Sequence, residues 1–296
     1  MIIVIPDRDP AVQNAVCAIG GFDGVHRGHQ AIIKEAVAIA AGTRKTGVIT
    51  FSPAPAAVLK GTRPLLLTPD DEQTAIFQDL GLDLLFRIPF TRDFAHMDPE
   101  AFVRFIADRI APAAVVIGEN FRFGRDRRGH ARHMVDLARH AFPVKVMSPI
   151  TDDGIISSTR IRELLLLGTV TVANRLLGRP YRVTGEVIEG KGAGRLLGFP
   201  TINIEPPPEK LLPLEGVYRS RVSVDGASYA GAMFCSHRLV EVHLLDFTGR
   251  LYDRPVTIEI MDRLRAAAKF PDREALRQAI ADDIARIRSR GPDPTP

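Results

Sequence analysis

Apolar residues in the first half of the chain come in short unbroken runs, separated by stretches with helical spacing. Residues 15–20 form one run, residues 30–41 repeat apolar side chains at three- and four-residue intervals, and residues 46–51 are apolar again. Strand, helix and strand in that order predict a βαβ unit, because parallel strands are buried on both faces and read as continuous apolar runs. Residues 84–88, 114–118 and 144–147 predict further strands, and residues 99–110 a helix whose apolar face carries Phe102, Phe105 and Ile106. Two more helices are expected over 157–167 and 171–177. Gly168 and Gly178 stand just past their last turns, where glycine ends a helix in the left-handed conformation.

Beyond Tyr181 the pattern changes to short alternating segments, over 181–188, 216–224, 227–234, 240–247 and 255–260. Asp225-Gly226 and Thr248-Gly249 are expected as hairpin turns, and the whole as an antiparallel barrel. A final helix is predicted from Asp272, its N-cap, with Leu276, Ile280, Ile284 and Ile287 on one stripe. The Pro/Gly-rich tail after Arg290 is expected to fray. Gly178-Arg179-Pro180 marks the change of pattern, so the predicted division is an α/β domain over 1–180 and a barrel domain with a C-terminal helix over 181–296.

Composition narrows the function classes. A chain of 296 residues is longer than one core usually grows, and 45% hydrophobic with 25% charged residues suits a soluble globular protein. No apolar run approaches the roughly 20 residues of a membrane span. The first residues carry no basic and apolar leader pattern, so a cytoplasmic protein without membrane contact is expected. Cys17 and Cys235 fall in different predicted domains, which argues against a disulfide and against a cysteine zinc site; both read as small buried hydrophobes. The net charge of +4, from 39 basic against 35 acidic residues, is dispersed along the chain. That balance suits a small anionic ligand such as a nucleotide and speaks against a nucleic-acid groove.

The first candidate site follows the first predicted strand: Gly20-Gly21-Phe22-Asp23-Gly24-Val25-His26-Arg27-Gly28-His29, leading into a helix. Glycines let the backbone approach phosphate oxygens, and a helix N-terminus adds positive partial charge. His26 and His29, with Gly28 between them, can aim both imidazoles at one anion. The same pair could hold a metal or be two solvated histidines, although no third ligand at zinc spacing accompanies it. A second patch, Ile156-Ser157-Ser158-Thr159-Arg160-Ile161-Arg162-Glu163, reads as ordinary helix capping or as a second anion cradle. Together the patches supply donors and positive charge without a nucleophile paired to a base. That suits adenylyl transfer to a substrate phosphate, which is already an anion and needs only positioning and charge stabilisation.

Residues 19–30 resemble the H-x-G-H signature of the bacterial bifunctional riboflavin kinase/FAD synthetases, and residues 156–163 resemble their I-S-S-T-x-I-R-E signature. Gly118-Glu119-Asn120-Phe121-Arg122-Phe123-Gly124 looks like the family's flavin-side loop, and Leu177-Gly178-Arg179-Pro180-Tyr181 like its domain junction. The resemblance implies a Rossmann-like nucleotidyltransferase domain that binds ATP near Gly20, Gly21, Phe22, Asp23, His26 and His29, with Ser157, Ser158, Thr159 and Arg160 on the triphosphate. His26, His29 and Arg160 would be catalytic, Asn120 would sit near the acceptor, and Phe121 and Phe123 would pack on the isoalloxazine ring. One segment departs: the family's T-F-x-P-H-P is Thr50-Phe51-Ser52-Pro53-Ala54-Pro55 here, without the histidine.

The second candidate site is the glycine-rich, basic run of residues 190–203, which ends in Thr201 and Asn203. Two apart on an extended segment, their oxygens face one side and could share a hard cation; the run could equally be a flexible barrel loop. It resembles the riboflavin kinase motif G-x-x-x-G-R-x-L-G-F-P-T-A-N, with Ile202 in place of alanine. That resemblance implies ATP binding by Gly194 and Arg195 and Mg²⁺ binding by Thr201 and Asn203. Phosphorylating a neutral hydroxyl needs a base, and Glu241 matches the family's glutamate; a surface glutamate on an alternating strand is the plainer alternative. Residues 230–238 depart from the family's A-N-I-G-x-R-P-T-F stretch and are shorter.

The expected function is therefore riboflavin to FMN and FMN to FAD, each consuming MgATP, with riboflavin, FMN, FAD and ATP as the small-molecule partners and a monomer or weak homo-oligomer as the working form. FAD synthesis alone with a degenerate barrel, or a non-catalytic flavin-binding regulator, are the alternatives.

Overall fold

The computed structural model describes residues 1–290 except 7, 10, 11, 62, 63 and 191, and no side chain for Lys60 or Ala193. The tail after Arg290 and Lys191 of the glycine-rich run lie outside the described residues. The chain forms two compact units, Met1–Ser158 and Thr159–Pro296. That division falls ahead of the Gly178-Arg179-Pro180 junction.

The first unit is an α/β sheet. Its elements are β1 (Ile2–Val4), β2 (Val16–Ile19), α1 (Arg27–Ala40), β3 (Thr46–Ser52), α2 (Pro55–Lys60), α3 (Asp70–Asp79), β4 (Leu84–Pro89), α4 (Arg92–Ala95), α5 (Pro99–Arg109), β5 (Ala114–Gly118), β6 (Arg122–Phe123), β7 (Gly129–His130), α6 (Ala131–Ala138) and β8 (Val144–Met147). Six strands pair in parallel in the order β1-β4-β3-β2-β5-β8, with β6 and β7 forming a separate small hairpin. Every residue of β2 is buried, as its unbroken apolar run predicts for the middle of a parallel sheet. Cores lie on both faces. Ile19, Phe102, Ile106 and Ile117 belong to one, and Ala18, Phe22, Ile33 and Phe77 to the other. The H-x-G-H loop follows the second strand rather than the first, because Ile2–Val4 adds an edge strand beside β4 that three residues of pattern could not announce.

The second unit takes up α7 (Ser158–Leu166) from its second residue and continues with α8 (Val170–Leu177), β9 (Tyr181–Ile188), α9 (Ala193–Leu196), β10 (Ile202–Glu205), β11 (Gly216–Val224), β12 (Ala227–Ser236), β13 (Leu239–Leu244), β14 (Pro255–Ala266) and α10 (Arg273–Ser289). Six antiparallel strands close a barrel in the order β10-β13-β12-β11-β14-β9. Asn174 ties α8 to that barrel: its amide donates to the carbonyls of Ile260 (2.8 Å) and Met261 (3.1 Å), and its oxygen accepts from the Tyr181 amide (2.8 Å). These bonds hold α8 to the barrel, and the Leu214 amide, ahead of β11, donates to the Leu165 carbonyl of α7 at 2.9 Å. Asp272 caps α10 through the Ala275 amide, and Ile284 and Ile287 are buried against Leu245.

One expected turn is corrected. Asp225-Gly226 is a hairpin turn, both residues at positive φ between the paired strands β11 and β12. Thr248-Gly249 is not, because β13 and β14 are not neighbours in the barrel and the chain between them must cross to another pairing. The tight turn in this region is His237-Arg238, between β12 and β13.

Both cysteines are buried, and burial pushes each thiol up to about 12. The thiolate is the reactive form, so neither should react with an aromatic disulfide reagent at mildly alkaline pH until the chain unfolds. Titration of thiols before and after denaturation checks this, and one reacting rapidly in the native protein would contradict it.

Candidate functional site

In the first unit the strand order reverses at β2, which has β3 on one side and β5 on the other. In open parallel sheets the crevice outside the carboxyl ends of the strands at such a reversal is the natural ligand site. Residues 20–29 run from the end of β2 into the first turn of α1, and residues 118–124 run from the end of β5 through β6, so both sequence-predicted segments meet this edge.

The H-x-G-H loop is held by contacts that its own sequence does not display. The carboxylate of Asp23 accepts from the Thr68 amide (3.0 Å), and the Thr68 hydroxyl accepts from the Gly24 amide (2.8 Å). Ser158 Oγ donates to the Asp23 carbonyl (2.7 Å), and Gln30 Nε2 to the Val25 carbonyl (2.9 Å). Phe22, at φ +49°, is 1% exposed and turns its ring into the core, where it meets the His29 imidazole edge-on at 5.2 Å. Asp23 thus serves the loop's shape, while Gly21 is left with open space beside its α-carbon.

His26 is the N-cap of α1, 5% exposed, and its Nδ1 accepts from the His29 amide at 3.3 Å. A ring nitrogen that accepts carries no proton, so the neutral ring holds its proton on Nε2 and offers it as a donor. The two imidazoles stack, with centroids 3.6 Å apart and 18° between planes. Gly28 makes room for this arrangement, since a Cβ there would lie 3.1 Å from the His26 ring. The structure therefore brings His26 and His29 together at a helix N-terminus. Ser157 and Ser158 follow Ile156 into the same unit; Thr159 and Arg160 stand on the first turn of α7 and open the second. Arg27 forms an ion pair with Asp152 at 2.6 Å.

A cavity of about 1000 Å³ lies beside Gly21 and Asn120 and is walled by Phe51, Pro55, Phe90, Phe94, Phe121 and Phe123, with Arg92, Arg122, Arg125 and Arg127 among its lining. The predicted aromatic pair divides its work. Phe123 is 5% exposed and packs on Phe102 at 5.2 Å, whereas Phe121, stacked on it at 5.6 Å, is more open and Asn120 is exposed. The departing segment lends Phe51 and Pro55 to the cavity wall; Ser52 Oγ donates to Asp70 at 2.6 Å, and Phe51 sits among Phe90, Phe94 and Phe102. The sequence reading missed Thr68, Phe90, Phe94 and Arg92; the crowding of phenylalanines over 86–105 was the available signal.

In the barrel, β10 and β13 pair so that Asn203 stands opposite Glu241. Cross-strand partners share a face. Val240, Val242 and Leu244 point to the core, which leaves Glu241 on the other face of β13, partly exposed, beside an Asn203 that is 7% exposed. Gly190 covers the asparagine closely enough that a Cβ would fall 2.0 Å from its amide nitrogen, and a Cβ on Gly194 would come within 3.2 Å of the Thr201 hydroxyl. Gly190 and Gly194 thus lie closely against Asn203 and Thr201. Arg195 lies on α9, exposed.

The hydroxyl of Thr201 and the amide oxygen of Asn203, with Glu241 registered against Asn203, would offer hard oxygen donors. Such donors fit Mg²⁺, which takes few protein ligands and keeps water and phosphate oxygens for the rest. Among the described residues no three His, Cys, Asp or Glu side chains gather as a metal cluster. The shortened stretch is also explained: β12 runs unbroken to Ser236 and turns at His237 (φ +53°) into β13. From that turn Arg238 donates to the carbonyls of Pro206 and Pro207, both at 2.9 Å, and of Pro208 at 3.2 Å.

Comparison with known proteins bears on both units. The FAD synthetase family model matches residues 9–160 and the riboflavin kinase family model residues 177–290. The bifunctional riboflavin kinase/FMN adenylyltransferase of Listeria monocytogenes is 36% identical over 89% of this chain and 88% of its own length. The protein of that name from Pseudomonas fluorescens is 35% identical over 95% and 94%, and that of Bacillus subtilis 33% identical over 91% and 90%. Among solved structures, one described as macrolide-efflux protein from Streptococcus pneumoniae is 26% identical, with a TM-score of 0.89 over 97% of this chain and 99% of that one. No described helix of the present chain is long and apolar enough to cross a membrane.

Replacing Gly28 by alanine tests the geometry of the histidine pair. A Gly→Ala change inside a helix normally stabilises by about 1 kcal/mol. Here the contact with His26 should cancel that gain and shift the His26 and His29 ring resonances in a proton NMR spectrum. A more stable protein with unshifted imidazole signals would contradict the stacked arrangement.

Proposed function

The chain belongs to the bifunctional riboflavin kinase/FMN adenylyltransferase family, and from that premise we propose that it makes FMN from riboflavin and ATP in its barrel and FAD from FMN and ATP at its parallel sheet. Two observations support the reading: His26 and His29 stack at a helix start, and Asn203 is registered against Glu241.

For FAD formation, an FMN phosphate oxygen attacks the α-phosphorus of ATP, the new P–O bond forms, and the bond to pyrophosphate breaks. The nucleophile is already an anion, so no residue need remove a proton. The residues position and neutralise: His26 offers its Nε2 proton from a fixed ring, His29 stands over it, and the amides at the start of α1 add their dipoles. Ser157, Ser158, Thr159 and Arg160 are assigned to the triphosphate. The aromatic cavity next to Asn120 suits the isoalloxazine ring, whose flat apolar body favours aromatic walls.

For FMN formation, the ribityl hydroxyl of riboflavin attacks the γ-phosphorus of ATP and ADP leaves. This nucleophile is neutral, and Glu241 accepts its proton. Mg²⁺ bound by Thr201 and Asn203 would neutralise charge on the phosphates. Gly194 and Arg195 are assigned to ATP. The functional division is then 1–180 for adenylyl transfer and 181–296 for the kinase, with the cytoplasm as the site of action and a monomer or weak homo-oligomer as its form. One observation favours a second reading, FAD synthesis alone: the two-residue turn at His237-Arg238 replaces a longer family stretch.

Single substitutions separate the activities. His29→Ala should slow FAD formation from FMN about a hundredfold or more, the scale of losing one transition-state donor, and leave riboflavin phosphorylation intact. An unchanged FAD rate would remove the histidine pair from the mechanism. Glu241→Gln should do the converse, abolishing FMN formation while FAD synthesis continues, and residual phosphorylation at the parent rate would remove Glu241 as the base.

A further inference from the structure

His243 lies two residues beyond Glu241 on β13 and therefore on the same face of the strand. The register that sets Ile202 against Val242 and Asn203 against Glu241 sets Thr201 against His243 when carried one residue further. Two neighbouring segments thus present four polar side chains on one face. Three of them have a role in the kinase reaction proposed above, and the fourth, His243, has none.

Its contacts give it one. The Nδ1 of His243 is 2.8 Å from the carbonyl oxygen of Pro200. A carbonyl only accepts, so the imidazole carries a proton on Nδ1 and donates it. The ring also meets Phe199 edge-on, with centroids 5.7 Å apart, and the Phe199 amide donates to the Gly194 carbonyl at 2.8 Å. Pro200 has no amide hydrogen with which to anchor the chain before Thr201. The bond from His243 supplies an anchor from the carbonyl side, one residue before the hydroxyl.

We propose that His243 is a positioning residue for the kinase reaction: through Nδ1 it holds the Pro200 carbonyl and so sets Thr201 and Asn203 against Glu241. The inference rests on the kinase reading. It places His243 behind a metal-binding segment, where outer partners fix ligand orientation without touching the ion.

The test uses the full chain with His243→Ala, His243→Asn and His243→Gln. An asparagine amide places its N–H near the position of Nδ1, whereas a glutamine amide reaches toward that of Nε2. Three quantities are read: the Mg²⁺ dependence of riboflavin phosphorylation, FAD formation from FMN in the same preparation, and hydrogen exchange of residues 194–203 in the ligand-free protein. His243→Ala should raise the Mg²⁺ concentration for half-maximal kinase rate by about 10- to 100-fold, the usual cost of losing an outer-shell partner. It should also speed exchange over 194–203 and leave FAD formation unchanged. Asparagine should restore the first two quantities and glutamine should not. Unchanged exchange and Mg²⁺ dependence in His243→Ala, or equal rescue by both amides, would overturn the proposal. If the parent protein makes no FMN, the kinase reading fails, and the exchange arm still decides whether His243 holds the segment.

Discussion

Parallel pairing of β2 with β3 on one side and β5 on the other is the constraint on which the first unit depends. A strand buried on both faces can end only by delivering the chain to the sheet edge, and the reversal of strand order there brings the loops after β2 and β5 to one crevice. One loop leads into the stacked histidines at the start of α1, and the other carries Asn120 and Phe121. The loop's shape then depends on small exact fits: Thr68 holding Asp23 and Gly24, and a missing Cβ at Gly28.

The barrel answers a different chemical need. A phosphate acceptor arrives ionised, whereas a ribityl hydroxyl must lose a proton, so one site can dispense with a base and the other cannot. At the parallel sheet there are donors and helix-terminal amides; on the barrel a carboxylate faces an asparagine that Gly190 lies against. Antiparallel register fixes that facing pair, and a slip of one residue would carry Glu241 into the core and Val242 outward.

Much of this was legible in the sequence for physical reasons that also mark where legibility ends. Continuous apolar runs gave β2, β3, β4 and β5, since burial on both faces leaves no other pattern. Ile2–Val4 escaped because three residues on a sheet edge carry no period. The helix at Asp70–Asp79 opens with three acidic residues after a proline, a start signal not read as such. The candidate motif residues were singled out by their resemblance to a family signature, which says nothing of the hydrogen bond that Asp23 makes: its partner Thr68 is 45 residues away and belongs to no motif. Thr248-Gly249 looked like a hairpin because local turn chemistry cannot report which strands become neighbours. His243 was invisible for the same reason, its acceptor lying on another segment of the barrel.

The most direct test of two reactions on one chain is chromatographic analysis of the products formed by the purified protein with MgATP, offered riboflavin in one reaction and FMN in another. Riboflavin should yield FMN and then FAD, and FMN should yield FAD. FAD from FMN with none from riboflavin would contradict the kinase assignment of the barrel, and no product in either reaction would contradict the account as a whole.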